Sequence, residues 1–403
     1  MKAYSALMVR LTRLGWLGRR SRLNYVWAIL GFVVLAALCL SPTLKTGYIS
    51  DDNFSSLKPG MLRVANKSLV AFTLENVRSS MQEGRFYPLH WVPFNGVFFF
   101  IQDVYYYKVY ILLLVISNLL LFILFLRKIS GDTGFACLAA SLTLMLIQLR
   151  AYHDPILSFF GLLQFLVAGT LLSLLALETY LERRQGAWLA LSVLLYLGCL
   201  LLYEASYPLF LLHGLLIWRR RPELRAWMRT FSPFLKAAVF CVLMSVLLRW
   251  LHPVDYSKPT ESTAHYQMNL APGTILATLL RQTSGALPLS YFLTDPAGLF
   301  AGVKRPGVLA HWVRRWDVLA ITLVALGVCL LSLRRGPREE SDEPPLRSDW
   351  TLTTLLGVLL AVLPAVAITL TSRYQGEIVI GRSYVPVYVQ YFGIGLLLSL
   401  IHI

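Results

Sequence analysis

Residues 109–126 read VYILLLVISNLLLFILFL, without one charged position, and the run stops at the basic pair Arg127-Lys128. A stretch of this length crosses the hydrocarbon core as a helix, because in lipid every backbone N–H and C=O must find its partner inside the segment. Working outward, further apolar runs fall at roughly 25–40, 134–149, 157–179, 188–203, 205–218, 232–251, 317–333, 350–370 and 385–403. The pattern predicts an all-α polytopic transmembrane helical bundle of about ten spans, organised as a single transmembrane domain over 1–403. The 188–203 and 205–218 runs form a tight hairpin bent near Glu204.

Composition agrees. The chain is 57% hydrophobic and 14% charged, with a mean hydropathy of +0.61, which excludes soluble, disordered and collagenous classes. The net charge of +16 reads as orientation by the positive-inside rule and attraction to anionic membrane lipids. No basic domain exists outside the membrane to bind nucleic acid. Cys39, Cys137, Cys199, Cys241 and Cys329 each lie in an apolar run without metal-ligand spacing and read as small buried hydrophobes.

A basic leader, 1–24, is expected in the cytoplasm, ahead of an uncleaved first span. Alternation then places Arg127-Lys128, Arg183-Arg184, Arg219-Arg220-Arg221 and Arg334-Arg335 inside as well. This orients a multi-pass protein of the cell inner (cytoplasmic) membrane, with two large outer loops at 46–108 and 252–316. The connection 334–347 reads as a solvated linker. In the second outer loop, Ile275 to Leu293 reads as an interfacial or partly re-entrant helix. The last apolar run ends at Ile403 without a basic anchor, which reads as a truncated C-terminus or as a helix that finishes in an unusual way.

The chemistry is expected at the outer boundary. Tyr48-Ile49-Ser50-Asp51-Asp52-Asn53-Phe54 puts two adjacent carboxylates just past the first span, where they serve as a general base, a metal ligand or a solvated turn. From Val64 to Met81, one helical face carries Val70, Leu74, Val77 and Met81, while Lys67, Glu75 and Arg78 lie largely away from it. Such a helix suits the membrane interface. The aromatic residues after Gly84-Arg85 and at Tyr105-Tyr106-Tyr107 favour headgroup level. Arg150, His153 and Asp154 crowd a short connection between spans, where charge is costly unless paired or hydrated. Glu204 occupies a bend between apolar stretches, and its bland role is to cap the turn or to pair with Arg150. Arg373 and Arg382 break the inside bias, which suits anion binding. Arginines beside carboxylates at a lipid surface fit a lipid-linked phosphate donor: guanidinium groups hold phosphate, and a carboxylate deprotonates the attacking hydroxyl.

With these features the sequence resembles the membrane-embedded GT-C glycosyltransferases, which move sugars from polyprenyl-phosphate carriers. The matching residues are Asp51-Asp52 after the first span, the interfacial helices of the first outer loop, the Glu-Gly-Arg-Phe-x-Pro run at 83–88 and the Tyr-Glu pair at 203–204. The resemblance implies an inverting transfer from a polyprenyl-phosphate-linked sugar to a glycan, lipid or protein acceptor. One of Asp51 and Asp52 acts as the base, Asp51 by preference. Arg85, Arg150, Arg373 and Arg382 are then the candidates to hold the donor phosphate, and His153, Asp154 and Glu204 line the acceptor side or support it. No residue is assigned to a metal, and the resemblance leaves a divalent cation, Mg or Mn, open as a cofactor. A lipid or solute transporter or flippase, or a non-catalytic membrane assembly subunit, are the alternatives. Transporters concentrate polar groups at the bilayer midplane, whereas the conspicuous polar residues here lie at one boundary.

Overall fold

The computed structural model describes residues 16–150, 153–252, 268–294 and 350–401, with the isolated positions 320, 323 and 327. Every element described is helical, apart from two isolated bridges, Met268 with Thr371 and Val379 with Arg382. The predicted span 317–333, the linker 334–347, most of the leader and much of the second outer loop lie outside the described residues.

Helix α1 (Trp16–Leu40) holds the first apolar run. Four shorter helices follow: α2 (Asp51–Ser55), α3 (Lys58–Val64), α4 (Leu69–Gln82) and α5 (Trp91–Phe100). The long α6 (Val104–Ser130) starts where the Asp103 carboxylate accepts the Tyr105 and Tyr106 amides, and stops at Gly131, whose φ of 72° ends a helix without steric penalty. Asp132 then caps α7 (Thr133–Leu146) through the Phe135 amide, so two residues, Gly131 and Asp132, turn the chain around. Helices α8 (Leu162–Arg183) and α9 (Gly186–Leu202) make the next antiparallel pair. A short 3-10 turn at Glu204–Leu209 joins α9 to α10 (Phe210–Arg220), and α11 (Leu224–Leu251) follows. The remaining elements are α12 (Pro272–Ser284), α13 (Ser290–Thr294), α14 (Trp350–Thr369), α15 (Ser372–Glu377) and α16 (Val387–Leu400).

Among the described residues four helices are long and apolar enough to cross a membrane: Val104–Ser130, Phe159–Arg183, Leu224–Leu251 and Trp350–Thr369. Shorter apolar helices pack between them, at Ile29–Lys45, Thr133–Leu146, Gly186–Leu202 and Val387–Leu400. Nine of the ten apolar runs thus lie on described helices, but not all at full length. The 134–149 run leaves the helix after Leu146. There the Gln148 side chain donates to the Leu287 carbonyl and accepts the Tyr291 amide, so the irregular backbone is embedded in protein, where lipid does not reach it. The stretch 275–293 is broken as well, into α12 and α13, with Thr278 and Gln282 fully buried.

Packing is closest between α14 and α16. A Cβ built on Gly393 would sit 2.3 Å from the Ala361 nitrogen and 2.6 Å from the Gly357 carbonyl, so the two backbones touch directly, as small residues allow in membrane bundles. Phe392 meets Phe122 of α6 edge to face at 5.1 Å. At one end of the bundle Lys128 pairs with Glu182 at 2.7 Å, and Arg220 lies 3.5 Å from the fully buried Glu178. The first loop, the Glu204 turn and the segments 147–150, 153–161 and 371–386 gather at the other end.

Helix α4 packs in reverse of a soluble amphipathic helix. Its polar side faces the protein: Thr73 accepts from Asn95, Asn76 donates to Asn95, and Ser80 accepts from the Trp91 indole at 2.7 Å. Val70 and Leu74 point away and are 68% and 63% exposed.

Candidate functional site

The acidic pair divides into two different environments. Asp52 is fully buried. One carboxylate oxygen accepts the Tyr107 hydroxyl, and the other accepts the Phe160 amide at 3.1 Å. Burial pushes this carboxyl up to about 7, and the bonds from Tyr107 and Phe160 and the charge of Lys108 pull only partly against it. Asp52 thereby fastens α2 to α6 and to the turn ahead of α8. Asp51, one residue earlier, is exposed. The surrounding protein still raises its carboxyl above the ordinary range, and the charge of Arg373 opposes that rise.

Arg373 lies in α15, where its Nε donates to Glu377 at 3.0 Å. The same two charges act on His153, which burial holds neutral, lowered to about 4. The His153 ring meets Tyr384 edge to face at 4.8 Å and stacks on Phe159 at 6.1 Å, and Tyr374 lies 4.6 Å from Tyr384. Asp51, His153, Arg373 and Glu377 are therefore one electrostatic neighbourhood, built from three separate parts of the chain. Arg382, in the turn after α15, is exposed.

The backbone around this neighbourhood is strained. Ser50, His153, Phe159 and Phe160 all have positive φ, at 54°, 49°, 69° and 45°. Each such residue costs on the order of 1–3 kcal/mol, and bulky residues adopt the conformation only where their surroundings impose it. Gly161, at φ 87°, completes the turn that presents the Phe160 amide to Asp52.

Several sequence candidates are committed elsewhere. Arg150 is 3% exposed, and its terminal nitrogens donate to the Ser383 carbonyl and hydroxyl, the Gly285 carbonyl and the Tyr391 hydroxyl, between 2.6 and 2.9 Å. This arginine is a strut that ties the turn after α7 to the segments following α12 and α15. Asp154 accepts the Ile156 and Leu157 amides at 2.7 Å and the Arg150 amide, shaping the same turn. Burial raises its carboxyl, against those bonds and the Arg150 charge.

Arg85 makes a two-point bond to Glu204, Nε to Oε1 at 3.1 Å and Nη2 to Oε2 at 2.9 Å. The partner of Glu204 is thus Arg85 and not Arg150. Burial works against the charge on Arg85, but Glu204 outweighs it and holds the guanidinium ionised. Beside this pair, Gly84 (φ +75°) lets the loop pass close to Arg249 of α11, which a Cβ there would meet at 2.5 Å.

Sequence reasoning passed over Lys108, Lys58 and Glu377. Lys108 is 1% exposed, donates to the Leu157 carbonyl at 3.1 Å and balances Asp52 and Asp154. Its signal was available, since a lysine at the head of an apolar run must be paired or hydrated. Lys58 lies 3.2 Å over the Phe94 ring and donates to Asn95. Burial lowers its ammonium to about 7, while the charge of Asp52 raises it. That environment comes from α5 and could not be read from the α3 sequence.

Among the described residues no three His, Cys, Asp or Glu side chains stand together as a ligand set, and both oxygens of Asp52 already accept hydrogen bonds. Cys39, Cys137, Cys199 and Cys241 are free thiols, and Cys329 lies outside the described residues. The chain matches no family model, no curated protein and no solved structure.

Proposed function

We propose that the chain is a GT-C type glycosyltransferase of the bacterial inner membrane, with about ten spans and its active site on the outer face. It moves a sugar from a polyprenyl-phosphate donor to a glycan, lipid or protein acceptor. The observation that carries this reading is the contrast within the acidic pair: Asp52 is spent on anchoring, while Asp51 stands exposed within the electrostatic reach of Arg373.

In this reading Asp51 takes the proton from the acceptor hydroxyl. The oxygen forms a bond to the anomeric carbon as the bond from that carbon to the phosphate oxygen breaks, with inversion, and the electron pair departs on polyprenyl phosphate. Arg373 and Arg382 meet the charge that develops on the leaving phosphate. Arg85 and Arg150, bonded within the protein, support the frame. His153, neutral and set among Phe159 and Tyr384, lines the acceptor side.

The test is Asp51→Asn in liposomes holding a polyprenyl-phosphate sugar and an acceptor. Loss of a general base lowers transfer by roughly 100- to 10,000-fold, with the thermal midpoint unchanged because the side chain is exposed. Transfer at the wild-type rate overturns the assignment. Movement of lipid or solute across the bilayer without glycosyl transfer favours a transporter instead.

A further inference from the structure

The reversed helix α4 leaves a surface that water does not explain. Val64, Val70, Leu74 and Phe100 are all more than half exposed, on neighbouring elements of one loop. Exposed apolar residues grouped this way mark a membrane or partner surface. Next to them lies an open surface depression of about 440 Å3. Its lining mixes apolar Pro59, Leu62 and Phe99 with polar groups that include Arg63, Asn66 and Lys67. Lys67 is already paired with Glu75 at 2.7 Å. Arg63 is exposed, and its guanidinium has no ion-pair or hydrogen-bond partner among the described residues. The depression therefore offers one uncompensated cation beside apolar side chains, at the edge of a face built for lipid.

We propose that this depression holds the phosphate head of an anionic phospholipid, the Arg63 guanidinium meeting the phosphodiester while the acyl chains lie along Val64, Val70 and Leu74. A guanidinium suits this task because its planar donors meet two phosphate oxygens at once. The apolar neighbours separate a lipid from a free anion, since inorganic phosphate has nothing to place on them. The inference is independent of the chemistry at Asp51.

The test uses the full chain, released from mixed micelles of equimolar phosphatidylglycerol and phosphatidylcholine, with retained lipid read by native mass spectrometry. Wild type is expected to retain phosphatidylglycerol over phosphatidylcholine. Arg63→Gln is expected to lower phosphatidylglycerol retention about fivefold, the contribution of one basic residue near an anionic surface. Arg78→Gln removes an exposed charge of the neighbouring α4, outside the depression, and is expected to leave retention unchanged. Neither residue is buried, so both variants keep the fold, as circular dichroism checks. Equal losses in the two variants reduce the effect to bulk charge and overturn the site. Absence of headgroup preference in wild type, or full displacement of the lipid by equimolar inorganic phosphate, overturns it as well.

Discussion

Asp52 makes the stability of the protein depend on pH in an unusual direction. Its carboxyl is raised from 3.8 to about 7 in the folded protein. An unfolded chain releases that proton near pH 4, whereas the folded chain keeps it until pH 7. Between those values the unfolded state binds fewer protons, so stability declines as pH rises. The gap, at about 1.4 kcal/mol per pH unit, sets an upper limit of about 4 kcal/mol. Asp52→Asn removes the titration and keeps a carbonyl oxygen for the Phe160 amide. Subtracting the variant's unfolding profile from that of wild type isolates Asp52 from Asp51 and Asp154, which are also raised. Unfolding of detergent-purified protein, followed by far-ultraviolet circular dichroism from pH 4 to 8, is the measurement. Wild type is expected to lose stability relative to Asp52→Asn across pH 4 to 7 and then to level off. A flat difference, or one that rises with pH, refutes the argument; it means that Lys108 and Tyr107 outweigh burial and Asp52 is ionised throughout.

Transfer activity is expected to rise with pH through a midpoint above the ordinary carboxylate range, because Asp51 acts as a base only when ionised and its carboxyl is raised; an initial-rate profile reads this. In a double-mutant cycle, Arg85→Gln and Glu204→Gln are expected to couple by about 1–2 kcal/mol, below the value of a buried pair because the side chains are 25% and 22% exposed. Gly393→Leu is expected to destabilise by about 3 kcal/mol or more, since no rotamer clears the Ala361 nitrogen, and a lowered thermal midpoint with unchanged Asp51 chemistry in any folded fraction checks it. Arg150→Lys, which cannot reproduce bonds to Ser383, Gly285 and Tyr391 together, is expected to cost about 2–4 kcal/mol.

The helices were legible because lipid imposes one simple rule on the backbone, and runs such as 109–126 obey it without exception. What defeated the reading was tertiary bonding. Nothing near Leu146 announces a helix end; the helix stops because Gln148 and Arg150 find better partners more than a hundred residues away. The arginines show the same limit from the other side. Their presence at one boundary could be read, but which of them is consumed depends on Glu204, Ser383 and Tyr391, whose positions no local pattern encodes. In the sequence the two adjacent carboxylates are indistinguishable as candidates for a base. A helix start that buries one and exposes the other is a matter of orientation, decided by Tyr107 and Phe160.

The polar seam beneath α4 makes the rigidity of the first loop a property of its solvent. The bonds among Thr73, Asn76, Asn95, Ser80 and Trp91 are strong where water is absent and compete poorly where it is present. On the proposed placement of Val70 and Leu74 in lipid, a bilayer keeps that seam dry, while a small, rapidly exchanging detergent lets water reach it. Harsh extraction would then loosen the loop that carries Lys58, and with it the approach to Asp51, while the bundle of α6, α8, α14 and α16 stays folded. Purified protein could look intact by helicity yet have lost its working geometry, and returning it to lipid would be the cure.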